Sequence, residues 1–280
     1  MLRQRVITAA VLLALLLPAL FAERATAFAL LALVLVSAGA WEWARLNGAH
    51  AAVPALASAG LMAAVCAATW VAFFPGLGQS PALWWTAAIG WSVFGSLALR
   101  QGPVGWPKWP AAWRWGLGMV LVWLAWLALV QGRVVGVNFL LSVMCIVWMA
   151  DIAAYFGGRR FGRRKLAPSI SPGKTWEGVV SGLLGVGLLA GAWMLAESQW
   201  AADSASIFRQ VQQRFGWFGL VLALVWLTAL GVMGDLFESL VKRAAGVKDS
   251  SRLLPGHGGV LDRVDALLPV LPAAMALIHL

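Results

Sequence analysis

Four carboxylates stand in two pairs near the end of the chain. Asp235 and Glu238 are three residues apart, and Asp262 and Asp265 repeat that spacing. Residues three apart share one face of a helix. Carboxylate oxygens are preferred ligands of hard divalent cations such as Mg²⁺ or Mn²⁺. We therefore expect these four side chains to form a metal site where two helices meet.

Basic residues and glycines surround these acids. The basic residues Lys242, Arg243, Lys248 and Arg252 suit phosphate groups. His257 lies among glycines that let backbone N–H groups approach an anion closely. His257 itself either contacts phosphate or makes a structural hydrogen bond in the loop. The combination predicts metal-assisted phosphoryl or nucleotidyl transfer.

A second basic loop contains Gly173, Lys174 and Thr175, which suggest a P-loop. That motif requires a glycine at position 168, where this chain has Pro168. The pattern instead predicts a helix that begins with Ser171 as N-cap and proline at its first position. A helix N-terminus carrying Lys174 would bind phosphate.

The elements that position these residues are apolar. Hydrophobic residues make up 61% of the chain and charged residues 11%, against about 45–50% and about 25% in soluble domains. In hydrocarbon each backbone polar group needs a partner within its own segment, which favours helices. We predict an all-α, polytopic integral membrane protein with about nine transmembrane helices. The nine apolar segments are Val6–Phe21, Ala25–Trp43, Pro54–Phe74, Pro81–Leu99, Trp113–Val130, Val134–Phe156, Thr175–Ala196, Phe215–Leu240 and Val260–Leu280.

The basic residues predict the orientation of these segments. With the N-terminus in the cytoplasm, all but four of the 21 Lys and Arg residues fall on the cytoplasmic side. The four on the other side are Arg24, Arg133, Arg209 and Arg214. The loops 157–174 and 241–259 then share the cytoplasmic face. This distribution also accounts for the net charge of +10 without a nucleic-acid partner. The first segment is interpreted as an uncleaved span rather than a signal peptide.

Acidic residues divide the chain unevenly. Only Glu23 and Glu42 precede Asp151, and nine more lie from Asp151 onward. An ionised carboxylate inside a membrane is costly, so such residues normally pair, bind metal or line a wet cavity. We interpret residues 1–150 as a transmembrane scaffold and residues 151–280 as the catalytic region.

Residues 239–265 resemble the signature of phosphatidate cytidylyltransferases, also called CDP-diglyceride synthases. The matching residues are Ser239, Lys242-Arg243, Lys248-Asp249, Leu254-Pro255-Gly256-His257-Gly258-Gly259 and Asp262-Arg263-Val264-Asp265. An earlier stretch is also similar to the family: Asp151, Tyr155, Gly157, Phe161-Gly162, Ser171-Pro172, Lys174-Thr175 and Glu177-Gly178. The first half resembles the family only in hydropathy.

This resemblance implies a polytopic helical enzyme, often a homodimer, that joins CTP to phosphatidic acid. It implies a divalent metal, Mg²⁺ or Mn²⁺, and K⁺ as a further ion. By motif position, Asp235 and Asp262 would bind metal, joined by Asp265 and Glu238. The catalytic set would be Asp235, Asp262, Lys242, Arg243, Lys248, Asp249 and His257. The set binding nucleotide or phosphate would be Lys174, Ser171, Thr175, Arg263, Gly258 and Gly259. Separately from the resemblance, the compact size and the Ala- and Trp-rich composition favour a bacterial inner membrane, and the distribution of Lys and Arg places the site on its cytoplasmic face.

Other classes remain open from the residues alone. A CTP-dependent polyprenol kinase would use similar groups on a lipid phosphate. A polytopic transporter would also carry intramembrane acids and glycine-interrupted spans. A CDP-alcohol phosphotransferase is disfavoured because its Asp-Gly-x-x-Ala-Arg pattern is missing.

Overall fold

The computed structural model describes residues 2–49, 51–199 and 201–279, and within these ranges the chain is mainly helical. The helices are α1 (Leu2–Phe21), α2 (Ala25–Leu46), α3 (Ala52–Ala68), α4 (Phe74–Gly78), α5 (Pro81–Gly105), α6 (Ala111–Val135), α7 (Val137–Phe161), α8 (Trp176–Glu197), α9 (Ile207–Ala244), α10 (Leu261–Val264) and α11 (Leu267–Ile278). A π-helical turn, Thr69–Phe73, continues α3, and a 3₁₀ turn, Trp106–Lys108, follows α5. Two short strands, β1 (Lys165–Ala167) and β2 (Ser171–Thr175), lie between α7 and α8.

Eight helices of the described residues are long and apolar enough to cross a membrane. They are α1, α2, α3 with its π-turn, α5 with its 3₁₀ turn, and α6 to α9. The predicted polytopic, all-α membrane fold is confirmed, and the chain is an integral membrane protein. The predicted count of nine is not confirmed, because segment 260–280 is divided between α10 and α11. The 12 residues of α11 reach about 18 Å, short of a hydrocarbon core of about 30 Å.

The two polar loops lie on one side of the membrane whichever way the chain is oriented. One loop joins α7 to α8, and the other follows α9. Between the two loops lie α8 and α9, each long and apolar enough to cross the membrane once. The shared face is therefore a consequence of the span order, while the cytoplasmic N-terminus stays a prediction.

The first loop is a β-hairpin that ends at α8. β1 and β2 pair antiparallel, with Lys165 opposite Thr175. Thr175 is the N-cap of α8, because its Oγ1 accepts from the N–H of Gly178 at 3.1 Å. The predicted helix start at Ser171 is therefore wrong: strand pairing satisfies the backbone there, and the helix begins at Trp176. Lys174 consequently projects from a strand.

Small residues bring α7 and α8 into close contact. A Cβ added to Gly178 would stand 3.0 Å from the carbonyl oxygen of Ala154. One added to Gly182 would stand 3.0 Å from that of Ala150. Between membrane helices such packing replaces the missing hydrophobic driving force. We call these four residues the small-residue seam.

An aromatic cluster from the first half of the chain sets the rotation of α9. Phe237 is buried, and its ring lies 5.4 Å from Trp91, 5.4 Å from Trp106 and 5.9 Å from Trp43, measured between ring centroids. Aromatic pairs at these separations stabilise beyond the area they bury. Because Asp235 lies two residues before Phe237, it points toward α7 and α8 instead.

Candidate active site

A cavity of about 440 Å³ lies between α7, α8, α9 and the β-hairpin. Along α9, the apolar Leu227 and the polar Thr228 line it, and Asp235 follows seven residues later, about 10 Å along the axis. On α7, Ile146 precedes Asp151 in the same way. The cavity therefore has an apolar part inside the span and a charged part at the loop side. Its charged and hydroxyl-bearing lining comprises Asp151, Tyr155, Arg159, Ser171, Lys174, Thr175, Thr228 and Asp235.

An ion pair crosses the charged part. The Lys174 Nζ lies 2.5 Å from Asp235 Oδ2, and both side chains are about a quarter exposed. The other Asp235 oxygen, Oδ1, accepts from the Ser239 hydroxyl at 3.3 Å. Two residues predicted from separate loops of the sequence thus meet in one cavity, alongside the predicted Ser171 and Thr175.

A second charged cluster lies one helical turn further along α9. Lys242 pairs with Glu238 on the same helix and with Asp262 Oδ1, at 2.6 Å from the latter. The side chains of the two acids are only 2% and 6% exposed. One ammonium group therefore contacts two buried carboxyl groups, which α9 and α10 supply.

The second Asp262 oxygen, Oδ2, is held by the loop before it. It accepts from the backbone N–H of Ser250 at 3.0 Å, the Ser250 hydroxyl at 3.0 Å and the N–H of Gly259 at 2.8 Å. Burial acts to raise the pKa of Asp262, but the hydrogen bonds from Lys242, Gly259 and Ser250 together hold that pKa below its ordinary value. Asp262 is therefore a firmly ionised anchor for the loop.

Asp265 lies beside Asp235. A Cβ added to Gly234 would stand 2.5 Å from the Asp265 carbonyl oxygen, so the two backbones are in contact there. The Asp265 carboxylate accepts from the N–H of Ala266 at 2.8 Å. Burial first, and then repulsion by the Asp235 carboxylate, raise the pKa of Asp265 above its ordinary value. A cation between the two would relieve that repulsion.

The carboxylate oxygens of Asp151, Asp235 and Asp265 suit a divalent cation in their chemistry. Asp262 and Glu238 fit one less well, because Lys242 already pairs with both. Among the described residues, no three acidic, histidine or cysteine side chains are already gathered at ligand spacing. Lys174 is the cation on Asp235 in this arrangement. The metal site therefore stays a prediction whose donors are present.

Several predicted site residues lie outside the cavity lining. Lys248, Asp249 and Arg263 are exposed, and Arg243 donates to the carbonyl oxygens of Ile170 and Val247 at 3.4 and 3.3 Å. The contact with Ile170 ties α9 to the turn of the hairpin.

The glycine loop is folded back on itself. His257 donates its backbone N–H to Leu254 at 2.8 Å, and its buried Nδ1 has no hydrogen-bond partner among the described residues. Gly258 has φ +84°, a conformation that favours glycine, and its Cβ position would lie 2.6 Å from Asp262 Oδ2. Gly259 donates to the same carboxylate. The two glycines therefore allow Asp262 to approach the backbone.

Two contributors were missed from the sequence. Arg159 lines the cavity and approaches the Tyr155 hydroxyl at 3.3 Å. The sequence shows that Arg159 belongs to a basic loop, but it does not show where the side chain points. Glu42, assigned to the scaffold, is fully buried and accepts from the Ser251 hydroxyl and the N–H groups of Val260 and Leu261, with the Ser250 hydroxyl oxygen 3.1 Å away. A carboxylate inside an apolar span was the signal that could have identified it.

Comparison with known proteins gives one family over nearly the whole chain. The model of the cytidylyltransferase family matches residues 3–280. A phosphatidate cytidylyltransferase of Pseudomonas aeruginosa is 38% identical over 288 residues, which cover 99% of this chain and 97% of that protein. One of Haemophilus influenzae is 46% identical over 137 residues, covering 49% of this chain and 44% of that protein. One of Bacillus subtilis is 39% identical over 138 residues, covering 49% of this chain and 46% of that protein.

Proposed function

The chain belongs to the cytidylyltransferase family, and we propose that it transfers the cytidylyl group of CTP to phosphatidate, giving CDP-diacylglycerol and pyrophosphate. The observation that carries this proposal is the two-part cavity. A substrate with an anionic phosphate and acyl chains matches a space that is charged at the loop side and apolar within the span.

The basic residues around the cavity receive the phosphate groups. Lys174 and Arg159 line the charged part and are placed to contact phosphate oxygens. Ser171 and Thr175 of the hairpin both line the cavity, and both can donate a hydroxyl proton, because the α8 cap uses the Thr175 oxygen only as an acceptor. Lys242 is held by two carboxylates and acts on their placement rather than on substrate.

Asp235, Asp265 and Asp151 would hold the divalent ion, Mg²⁺ or Mn²⁺. Such an ion would neutralise triphosphate charge as it develops on the leaving group. Lys174, now paired with Asp235, would then be free to contact phosphate. Asp262 would hold Lys242 and the loop before α10 in place beside these three carboxylates.

The reaction forms one bond and breaks one. A phosphate oxygen of phosphatidate forms a bond to the α-phosphorus of CTP, and the bond from that phosphorus to the bridging oxygen of the β-phosphate breaks. Pyrophosphate carries away that oxygen and its electron pair. Because a phosphate monoester is already largely ionised at pH 7, the attacking oxygen needs no strong general base. Charge neutralisation therefore dominates catalysis.

The proposal extends to the membrane in which the protein lies and to the side on which its cavity opens. The positive-inside distribution of Lys and Arg supports a bacterial inner membrane with the cavity mouth facing the cytoplasm, where CTP is found. We also propose that the protein assembles as a homodimer, because the family that it resembles is often homodimeric.

Labelled CTP tests the proposal against a kinase and a transporter. Purified protein in detergent, with phosphatidate and Mg²⁺, should incorporate label from the α-phosphate of CTP into lipid and none from the γ-phosphate. Asp235→Asn should incorporate neither. Lipid labelled only from the γ-phosphate would identify a kinase and refute the proposal, and so would a wild-type protein that labels no lipid.

A further inference from the structure

We propose that Glu42 of α2 is a positioning residue of the reaction centre: it holds the loop that carries Asp262 in place. This rests on the proposed cytidylyl transfer for its effect on activity. It assigns a role in that reaction to the first half of the chain, where the sequence indicated only a scaffold.

The Glu42 carboxylate is the point on which residues 250–261 converge. Its Oε1 accepts from the Ser251 hydroxyl at 2.5 Å and the Val260 N–H at 2.9 Å. Its Oε2 accepts from the Leu261 N–H at 2.8 Å and lies 3.1 Å from the Ser250 hydroxyl. The residue is 0% exposed. Both oxygens are therefore engaged with one short segment that is more than 200 positions away in the sequence.

No lysine or arginine pairs with Glu42 among the described residues, so these hydrogen bonds must stabilise the buried charge. An ionised group buried without partners is strongly disfavoured. The dependence is mutual, because the Val260 and Leu261 N–H groups stand at the start of α10, where no earlier turn can accept them. Removing the acceptor would leave the helix start and the loop without their anchor.

Ser250 connects Glu42 to the charged cluster. Its hydroxyl oxygen lies 3.1 Å from Glu42 Oε2 and 3.0 Å from Asp262 Oδ2. The same Asp262 oxygen accepts the Ser250 backbone N–H, while its partner oxygen contacts Lys242. A shift of Ser250 therefore moves Asp262, and with it Lys242 and Glu238 on α9. One turn earlier on that helix is Asp235.

Glutamine is a close match in shape for Glu42, but it replaces one acceptor oxygen with an N–H₂ donor. Whichever way the amide turns, that donor faces either the Ser251 and Val260 pair or the Ser250 and Leu261 pair. The loop must then withdraw from it. We expect Glu42→Gln to insert and fold while lowering kcat/KM for CTP by about 10- to 100-fold, the effect of losing one or two hydrogen bonds to a charged group.

The test has five proteins and two readouts. The proteins are wild type, Glu42→Gln, Ser250→Ala and the double variant, with Glu23→Gln as a matched control because Glu23 is exposed at the α1–α2 turn. The first readout is kcat and KM for CTP. If Glu42 acts through Ser250, the Glu42→Gln substitution should cost less than about threefold in the Ser250→Ala background. A merely structural role predicts additive losses instead.

The second readout needs no activity. Hydrogen–deuterium exchange should accelerate in residues 250–261 of Glu42→Gln and stay unchanged in Glu23→Gln. Unchanged exchange, unchanged kcat/KM or additive losses in the double variant would each overturn the inference. If Glu42→Gln fails to fold, Ser250→Ala decides, and wild-type kcat/KM there overturns it. If the wild type makes no CDP-diacylglycerol while Glu42→Gln still exchanges faster in residues 250–261, the proposed function is refuted and the positioning role of Glu42 stands.

Discussion

Replacing Lys242 with methionine tests the charged cluster most directly. Methionine keeps the length and apolar body of the side chain but removes the ammonium group. Glu238 and Asp262, 2% and 6% exposed, would then face each other without a counter-charge. Breaking a buried ion pair by removing one partner costs about 3–5 kcal/mol. We expect Lys242→Met to lower the free energy of unfolding by that amount.

Thermal unfolding in detergent measures this loss. The chain contains 18 tryptophans, so intrinsic fluorescence reports unfolding without a label. At roughly 2–4 °C per kcal/mol for a chain of about this size, the midpoint should fall by roughly 6–20 °C. Adding Glu238→Gln to Lys242→Met removes one of the two buried carboxyl groups that have lost their shared partner. The double variant should therefore unfold at a higher temperature than Lys242→Met alone.

Lys248→Met is the matched control, because Lys248 is exposed and shows no ion pair among the described residues. Surface substitutions of this kind usually stay within about 0.5 kcal/mol. The reasoning fails if Lys242→Met unfolds within about 2 °C of wild type. It also fails if the double variant is less stable than Lys242→Met alone. In that case Lys242 would not be the group that stabilises the Glu238 side chain.

Four further substitutions separate catalysis from stability. Lys174→Met should lower CDP-diacylglycerol formation from α-labelled CTP by about 100-fold, since a phosphate contact is lost; activity within threefold of wild type would contradict the role. Asp235→Asn should abolish Mg²⁺-dependent synthesis without a fall in the unfolding midpoint, and a variant that responds normally to a Mg²⁺ titration would refute the metal assignment. Thr175→Val should cost about 1 kcal/mol of stability by removing the α8 cap, whereas Ser171→Ala should leave the unfolding midpoint unchanged; equal shifts would favour the helix start predicted at Ser171.

The membrane fold and part of the site followed from local patterns. Apolar runs define spans because hydrocarbon leaves the backbone few alternatives to helix. Lys174 and Asp235 could be identified for a related reason, as charged residues at span ends that require partners. Their meeting at 2.5 Å depends on the packing of α7, α8 and α9, which no single segment encodes.

The elements that were missed lack a local signature. Strands of three and five residues are too short to show an alternating pattern, so the hairpin was taken for a helix start. The final segment is apolar enough for a span, but its helix is interrupted at Asp265 and Ala266, between α10 and α11. Glu42 depends on partners far away in the sequence, which periodicity cannot indicate.

The small-residue seam bears on how a lipid tail reaches its place. Gly178 and Gly182 face the carbonyl oxygens of Ala154 and Ala150, and all four residues also line the cavity. No large side chain lies between these two backbones that could change rotamer and open a gap. The wall of the cavity formed by α7 and α8 is therefore closed to an acyl chain. An acyl chain would instead enter from the α9 side, where side chains such as Leu227 and Val232 line the cavity and can change rotamer. The entry route of the lipid would then lie along the same helix that carries Asp235.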